Sequence, residues 1–126
     1  MPNPSALPRP AEEAAVVTKA VLRAAGRLEL PNRALAGIIG LSEATISRMG
    51  SGTYVLTPGD KPFELAVLFL RLFRALDAIV GGDVEVARAW LRNDNTALGA
   101  TPINVIASVS GLVNVVGYLD ARRALV

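Results

Sequence analysis

Apolar residues recur at helical spacing along nearly the whole chain, and glycine or proline interrupts them every few turns. Val17, Val21, Ala24 and Leu28 follow at 4-3-4 spacing and predict one buried stripe on a helix from Ala11 to about Arg27. Glu12 and Glu13 fall in its first turn, where negative charge offsets the helix dipole. Pro31 then permits a new start, and Asn32 to Ile39 makes about two turns. Gly40 stops that helix, Ser42 can cap the next, which runs to about Met49, and Gly50 and Gly52 end it.

SGTYVLTPGDK reads as a loop with a brief extended piece at TYVL. The longest predicted helix is Pro62 to Val80, apolar nearly all round through Phe63, Leu65, Phe69, Leu72, Phe73 and Leu76. Such a helix is either buried between layers or shared with a partner chain. Gly81 and Gly82 break it, and Asp83 can cap a shorter helix from Val84 to Leu91. After the polar loop RNDNTALGA, Thr101 and Pro102 give an N-cap followed by proline in the first helical position. Gly111 is expected to separate that helix from the last, Leu112 to Leu125. The expected fold class is therefore all-α: a helix-turn-helix bundle followed by a small helical domain. Its divisions are a disordered tail at 1–10 with four prolines, a helix-turn-helix portion at 11–61, a connecting or dimerisation helix at 62–82, and a last domain at 83–126.

Composition narrows the function. Of 126 residues 52% are hydrophobic and only 5% aromatic, so the core is built mainly from Ala, Leu, Val and Ile. The absence of cysteine and histidine removes disulfides, thiolate metal sites and the usual general base near neutral pH. No catalytic residue, metal or cofactor is expected, and the protein is not read as an enzyme. PNPSALPRP is proline-broken and gives no secretory signal. The 25 residues from Asn95 to Leu119 carry no formal charge and could span a bilayer on length alone. They also hold Asn104, Ser108, Ser110 and Asn114, which lipid would bury at a cost, so two short helices of a soluble, cytoplasmic protein are expected, with no membrane partner.

The stretch IIGLSEATISRMGSG meets the steric demands of a DNA-reading helix-turn-helix. Leu35 and Ala36 supply an inward aliphatic and a small residue at the crossing, Gly40 a turn able to take positive φ, and Ile46 and Met49 a second buried turn. The outward face of the second helix then carries Ser42, Glu43, Ala44, Thr45, Ser47 and Arg48. Arg48 suits guanine or phosphate, Glu43 suits cytosine, and Ala44 or the Thr45 methyl suits thymine. Each has a plainer role too: Ser42 as N-cap, Glu43 and Arg48 as charges matched to the helix dipole. That face sums to zero charge, and the whole chain to +2, so backbone affinity falls to Lys19, Arg23, Arg27, Arg33 or Lys61.

Farther along, WLRNDNTALGATPINVIASVSG runs from Trp-Leu through a polar loop and Ala-Leu-Gly to a Thr-Pro helix start and a later glycine. Alone, Trp90 reads as a core anchor and Arg122 and Arg123 as cations stabilising a helix C-terminus. Together with the helix-turn-helix, the pattern of Trp90, Leu91, Asn95, Ala97, Leu98, Gly99, Thr101, Pro102 and Gly111 resembles the MbcA/ParS/Xre-type antitoxins over about residues 15–120. The resemblance implies a partner, a RES-domain toxin that consumes NAD, whose active-site entrance the antitoxin's C-terminal region covers. It also implies operator DNA as a partner, repression of the pair's own promoter, and self-association as a homodimer within a larger complex. Toxin contact is expected at Trp90, Asn95, Leu98, Gly99, Arg122 and Arg123. The competing expectation is a stand-alone repressor whose C-terminal half dimerises or takes an effector. A third is an interaction protein that no longer binds DNA.

Overall fold

The computed structural model describes residues 9–125. The expected tail lies mostly at residues 1–8, outside them; Pro10, assigned to it, is the first residue of a helix. Among the described residues seven helices follow one another: α1 (Pro10–Arg27), α2 (Asn32–Ile39), α3 (Glu43–Ser51), α4 (Lys61–Ile79), α5 (Val84–Arg92), α6 (Pro102–Val105) and α7 (Val109–Arg123). The fold is all-α, and no strand forms among the described residues.

Local chemistry sets most of the boundaries. Pro10 and Pro62 stand in the opening turns of α1 and α4, where the missing N–H costs nothing. Asp83 Oδ1 accepts from Val86 N–H at the start of α5. Gly81 and Gly82 take φ of 63° and 80°, and Gly82 N–H closes back on the Asp77 carbonyl at 2.9 Å. Gly50 does not end α3 as expected; it lies within the last turn, and Gly52 at φ 82° makes the stop.

Gly111 is a larger departure. It does not separate two helices but sits in the first turn of α7, and the break falls earlier, at Ile106–Ser108. Ser108 Oγ accepts from Gly111 N–H and caps α7. A Cβ at Gly111 would stand 1.9 Å from the Val105 carbonyl oxygen, so glycine is required there for close approach rather than for helix breaking. Thr101 precedes Pro102 as expected but gives α6 no side-chain cap; its hydroxyl donates to Asp94 Oδ1 instead.

The TYVL segment is irregular rather than a strand. Leu56 is buried, and its N–H donates to Thr18 Oγ1 across 38 residues of sequence. Thr18 is the one buried polar residue among those described, and its hydroxyl in turn donates to the Ala14 carbonyl. A single threonine therefore pins the loop to α1.

One core runs through both halves. It takes Val21 and Leu28 from α1, Leu35 and Ile39 from α2, Ile46 and Met49 from α3, and Leu91, Leu112, Val115 and Leu119 from α5 and α7. α4 lies at its centre, burying Phe63, Leu65, Ala66, Phe69, Leu72, Ala75 and Leu76 against α1, α2 and α7. The nearly all-round apolar pattern of this helix is thus explained by layers within the chain. Each fully buried Leu or Phe contributes about 1.5–3 kcal/mol against exposure.

α5 is fastened to the end of α1 by two guanidinium groups. Arg88 Nε donates to the Arg27 carbonyl at 2.7 Å, and its Nη1 pairs with Glu29 Oε1 at 3.2 Å. Arg92 Nη2 donates to the carbonyls of Leu28 and Glu29, each at 2.9 Å. These are carbonyls that a helix C-terminus leaves unpaired. Glu29 turns the chain at φ 56°, a left-handed conformation uncommon for a residue with a Cβ.

Candidate functional site

The α2–α3 corner has the geometry the sequence required. Gly40 adopts φ 75°, ψ 34°, and its N–H returns to the Ala36 carbonyl. Leu35, Ala36, Ile39, Ile46 and Met49 are all buried, which fixes α3 against α2 and turns one face of α3 outward. Ser42, Glu43, Ala44, Ser47 and Arg48 are exposed there, and Thr45 is half-buried.

Three of these side chains form a line at helical spacing. Ser42 Oγ accepts from Thr45 N–H at 3.1 Å and lies 2.8 Å from Thr45 Oγ1, to which Arg48 Nη2 donates at 3.1 Å. Ser42 is thus the N-cap of α3 in fact as well as by position. Arg48 leans along the helix, tethered by one exposed hydrogen bond that a stronger acceptor can replace. Neither Glu43 nor Arg48 makes an ion pair among the described residues. Of the cations available for backbone contact, Lys61 pairs with Glu64 at 3.0 Å, while Lys19, Arg23, Arg27 and Arg33 pair with no carboxylate among the described residues. A groove of about 600 Å³ runs from the rim of this corner to α6, lined by Pro31, Arg33, Ile38, Glu43, Ile103 and Asn104 among others.

The second surface is at the other end of the molecule in sequence. Trp90 packs half-buried against the edge of the core, and its ring stacks on Tyr118 of α7 at 6.4 Å between centroids and 17° between planes. The guanidinium carbon of Arg122, one turn farther along α7, stands 5.7 Å from the centre of the Tyr118 ring. Trp90 and Arg122 are therefore joined through a residue the sequence reading passed over. The available signal was spacing: Tyr118 precedes Arg122 by four and so shares its helix face. Midway between them in sequence, Asp120 Oδ2 accepts from Arg71 Nη2 at 2.6 Å and ties α7 to α4.

Asn95, Leu98 and Gly99 belong to the loop between α5 and α6, and their visible work is to shape it. Asn95 Oδ1 accepts from Leu98 N–H, Asn95 N–H donates to the Ala100 carbonyl, and Gly99 N–H donates to the Asn95 carbonyl at 2.8 Å. Gly99 closes this turn at φ 70°. Leu98 packs half-buried against the core, and Arg123 is exposed. No group of carboxylates suited to a metal ion occurs among the described residues, and none of their helices is long and apolar enough to cross a membrane.

Fold and surfaces define a helix-turn-helix protein with a separate aromatic–arginine surface on its C-terminal helices. Comparison with protein families gives two matches. The antitoxin Xre-like helix-turn-helix domain matches residues 8–71, and the antitoxin Xre/MbcA/ParS C-terminal toxin-binding domain matches residues 75–124. The chain belongs to this family of antitoxins, which joins a helix-turn-helix to a toxin-binding domain. No curated protein matches it. The two matched stretches meet inside α4.

Proposed function

We propose that this antitoxin neutralises a NAD-consuming RES-domain toxin by covering the entrance to its active site with residues of the 83–126 region. In the same reading, residues 11–61 bind operator DNA and repress the promoter of the toxin–antitoxin pair, and α4 connects the two tasks. The protein works in the cytoplasm, without a cofactor, as a homodimer within a larger complex.

The observation that carries the toxin half is the Trp90–Tyr118–Arg122 stack. It lies wholly within the stretch matched to the toxin-binding domain and presents the three residue types most enriched at binding hot spots. Stacked rings and a guanidinium held above one of them are already ordered, so a partner meets them with little further loss of side-chain entropy. Arg122 and Arg123 then stand at the end of α7, placed to follow the stack toward a pocket that offers carboxylates or carbonyls.

The test is co-expression of the toxin with a chain ending at Leu119. Restored toxicity, with the shortened chain still folded and still bound to DNA, supports the C-terminal cover. Full neutralisation by that chain removes it.

A further inference from the structure

α1 and α4 wall a groove that neither the DNA-reading corner nor the Trp90–Tyr118–Arg122 stack accounts for. It encloses about 180 Å³ and is lined by Ala20, Arg23, Arg27, Leu70, Phe73 and Arg74 among others. Leu70 and Phe73 are half-buried and form an apolar floor, while the three arginines are exposed at the rim. No carboxylate is among the lining residues, and no ion pair among the described residues uses any of these three guanidinium groups. Both walls continue apolar one turn toward their N-termini, to Val16 on α1 at 66% exposure and Val67 on α4 at 38%.

This composition selects among occupants. Pockets for small molecules enclose about 300–1,000 Å³, so the groove is too small for a nucleotide or a comparable cofactor. A phosphate backbone would satisfy the arginines but gain nothing from an apolar floor. A protein segment with one apolar side chain and carboxylates beside it would use both, since a guanidinium holds a carboxylate through two parallel N–H donors. The groove also adjoins the elements that carry the stack. α5, which bears Trp90, is fastened to the end of α1 by the 2.7 Å bond from Arg88 Nε to the Arg27 carbonyl. α7, which bears Tyr118 and Arg122, is fastened to α4 through Asp120 and Arg71, one turn before Arg74. A stable protein interface covers about 800 Å² and about 20–30 residues on each partner. Three stacked residues are a small part of that, so a partner seated on them extends over the neighbouring helices.

We propose that this groove receives an acidic segment of the toxin. One apolar side chain of that segment rests on Leu70 and Phe73, and carboxylates flanking it pair with Arg23, Arg27 and Arg74. None of the three arginines lies in the stretch matched to the toxin-binding domain, and Arg23 and Arg27 lie in the stretch matched to the helix-turn-helix domain. The DNA-reading half therefore supplies part of the toxin contact. Because the arginines stand at an exposed rim, their main effect is on the rate of encounter and its dependence on salt. The assignment rests on the toxin-neutralising reading proposed above and names the chemistry of the toxin surface it requires.

Stopped-flow association of the full-length chain with purified toxin, at several salt concentrations, tests it. Arg23→Glu and Arg74→Glu should each slow association by about tenfold or more at low salt, and by much less at high salt, where the charges are screened. Arg23→Lys keeps the charge and should stay within about threefold of the parent. Binding to the promoter fragment should not change in any of them. Circular dichroism confirms that the variants fold; if charge reversal unfolds the chain, Arg23→Gln and Arg74→Gln make the same test, with slowing of about threefold or more. Association indifferent to these variants, while Trp90→Ala weakens the complex, overturns the groove and leaves the toxin reading standing. A parent chain that binds no toxin overturns both. Losses on promoter DNA in place of toxin assign the arginines to phosphates and overturn the proposal. A change in the chain's own oligomeric state, with toxin association unchanged, makes a second copy the occupant and overturns it too.

Discussion

The carbonyl oxygen of Val105 occupies the space that a side chain on Gly111 would need, 1.9 Å from the position of its Cβ. The last turn of α6 and the first turn of α7 are therefore in backbone contact. Gly111→Ala must push them apart and should destabilise the protein by about 1–3 kcal/mol or more, as overpacking of a well-filled site does. Gly117, on the same helix, has open space around it, and Gly117→Ala should be neutral or stabilising by up to about 1 kcal/mol. Urea denaturation of the two variants side by side checks the contrast.

Thr18 supports a second test of stability. Thr18→Val keeps the shape but removes the acceptor for the buried Leu56 N–H, and should cost about 1–3 kcal/mol for the unsatisfied donor. Hydrogen exchange should show the loss locally, with the Leu56 amide losing protection ahead of the α4 amides.

On the surface proposed to meet the toxin, Trp90→Ala and Tyr118→Ala should each weaken toxin binding by about 2 kcal/mol or more, the range of hot-spot residues. Both side chains are half-buried at the edge of the core, so part of any change is a folding effect. Tyr118→Phe keeps the stack and should bind nearly as the parent does. Calorimetric titration against the purified toxin, with thermal unfolding of each variant, separates the two effects.

For DNA, Arg48→Ala should weaken binding to the promoter fragment by about 1–3 kcal/mol and relax the preference at one base pair. Arg33→Ala should instead weaken all sequences alike and lower the salt slope by about 1 if it holds a phosphate. Binding isotherms at several salt concentrations distinguish the two kinds of contact. An unchanged affinity for Arg48→Ala would take the recognition role from that residue.

The helix-turn-helix was legible in the sequence because its requirements are local. Leu35, Ala36, Gly40, Ile46 and Met49 are demanded by one crossing of two short helices, within fifteen residues of each other. Caps at Ser42 and Asp83 were legible for the same reason. What escaped were relationships between distant segments. The grip of Arg88 and Arg92 on the end of α1 spans more than 60 residues of sequence, and nothing in the residues themselves names the carbonyls they hold. Gly111 was misread because a glycine kept for close approach looks, in sequence, like a glycine kept for a turn. Trp90 was legible as a residue packed on the core, but its stacking partner, a tyrosine 28 positions on, was not. The fold was thus readable from short-range patterns, while the make-up of the aromatic–arginine surface depended on which helices meet.

α4 finally bears on how such a protein can change over generations. Both matched stretches end within it, and its buried side chains complete the core of the DNA-reading half and of the C-terminal half together. A recombination event that grafted a new reading head at that seam would bring two half-helices with unrelated packing surfaces into one core. The specificity for an operator and the specificity for a toxin are therefore inherited as a linked pair. Substitutions on the exposed faces of either half leave the shared core intact, but wholesale exchange of either half has to carry α4 with it.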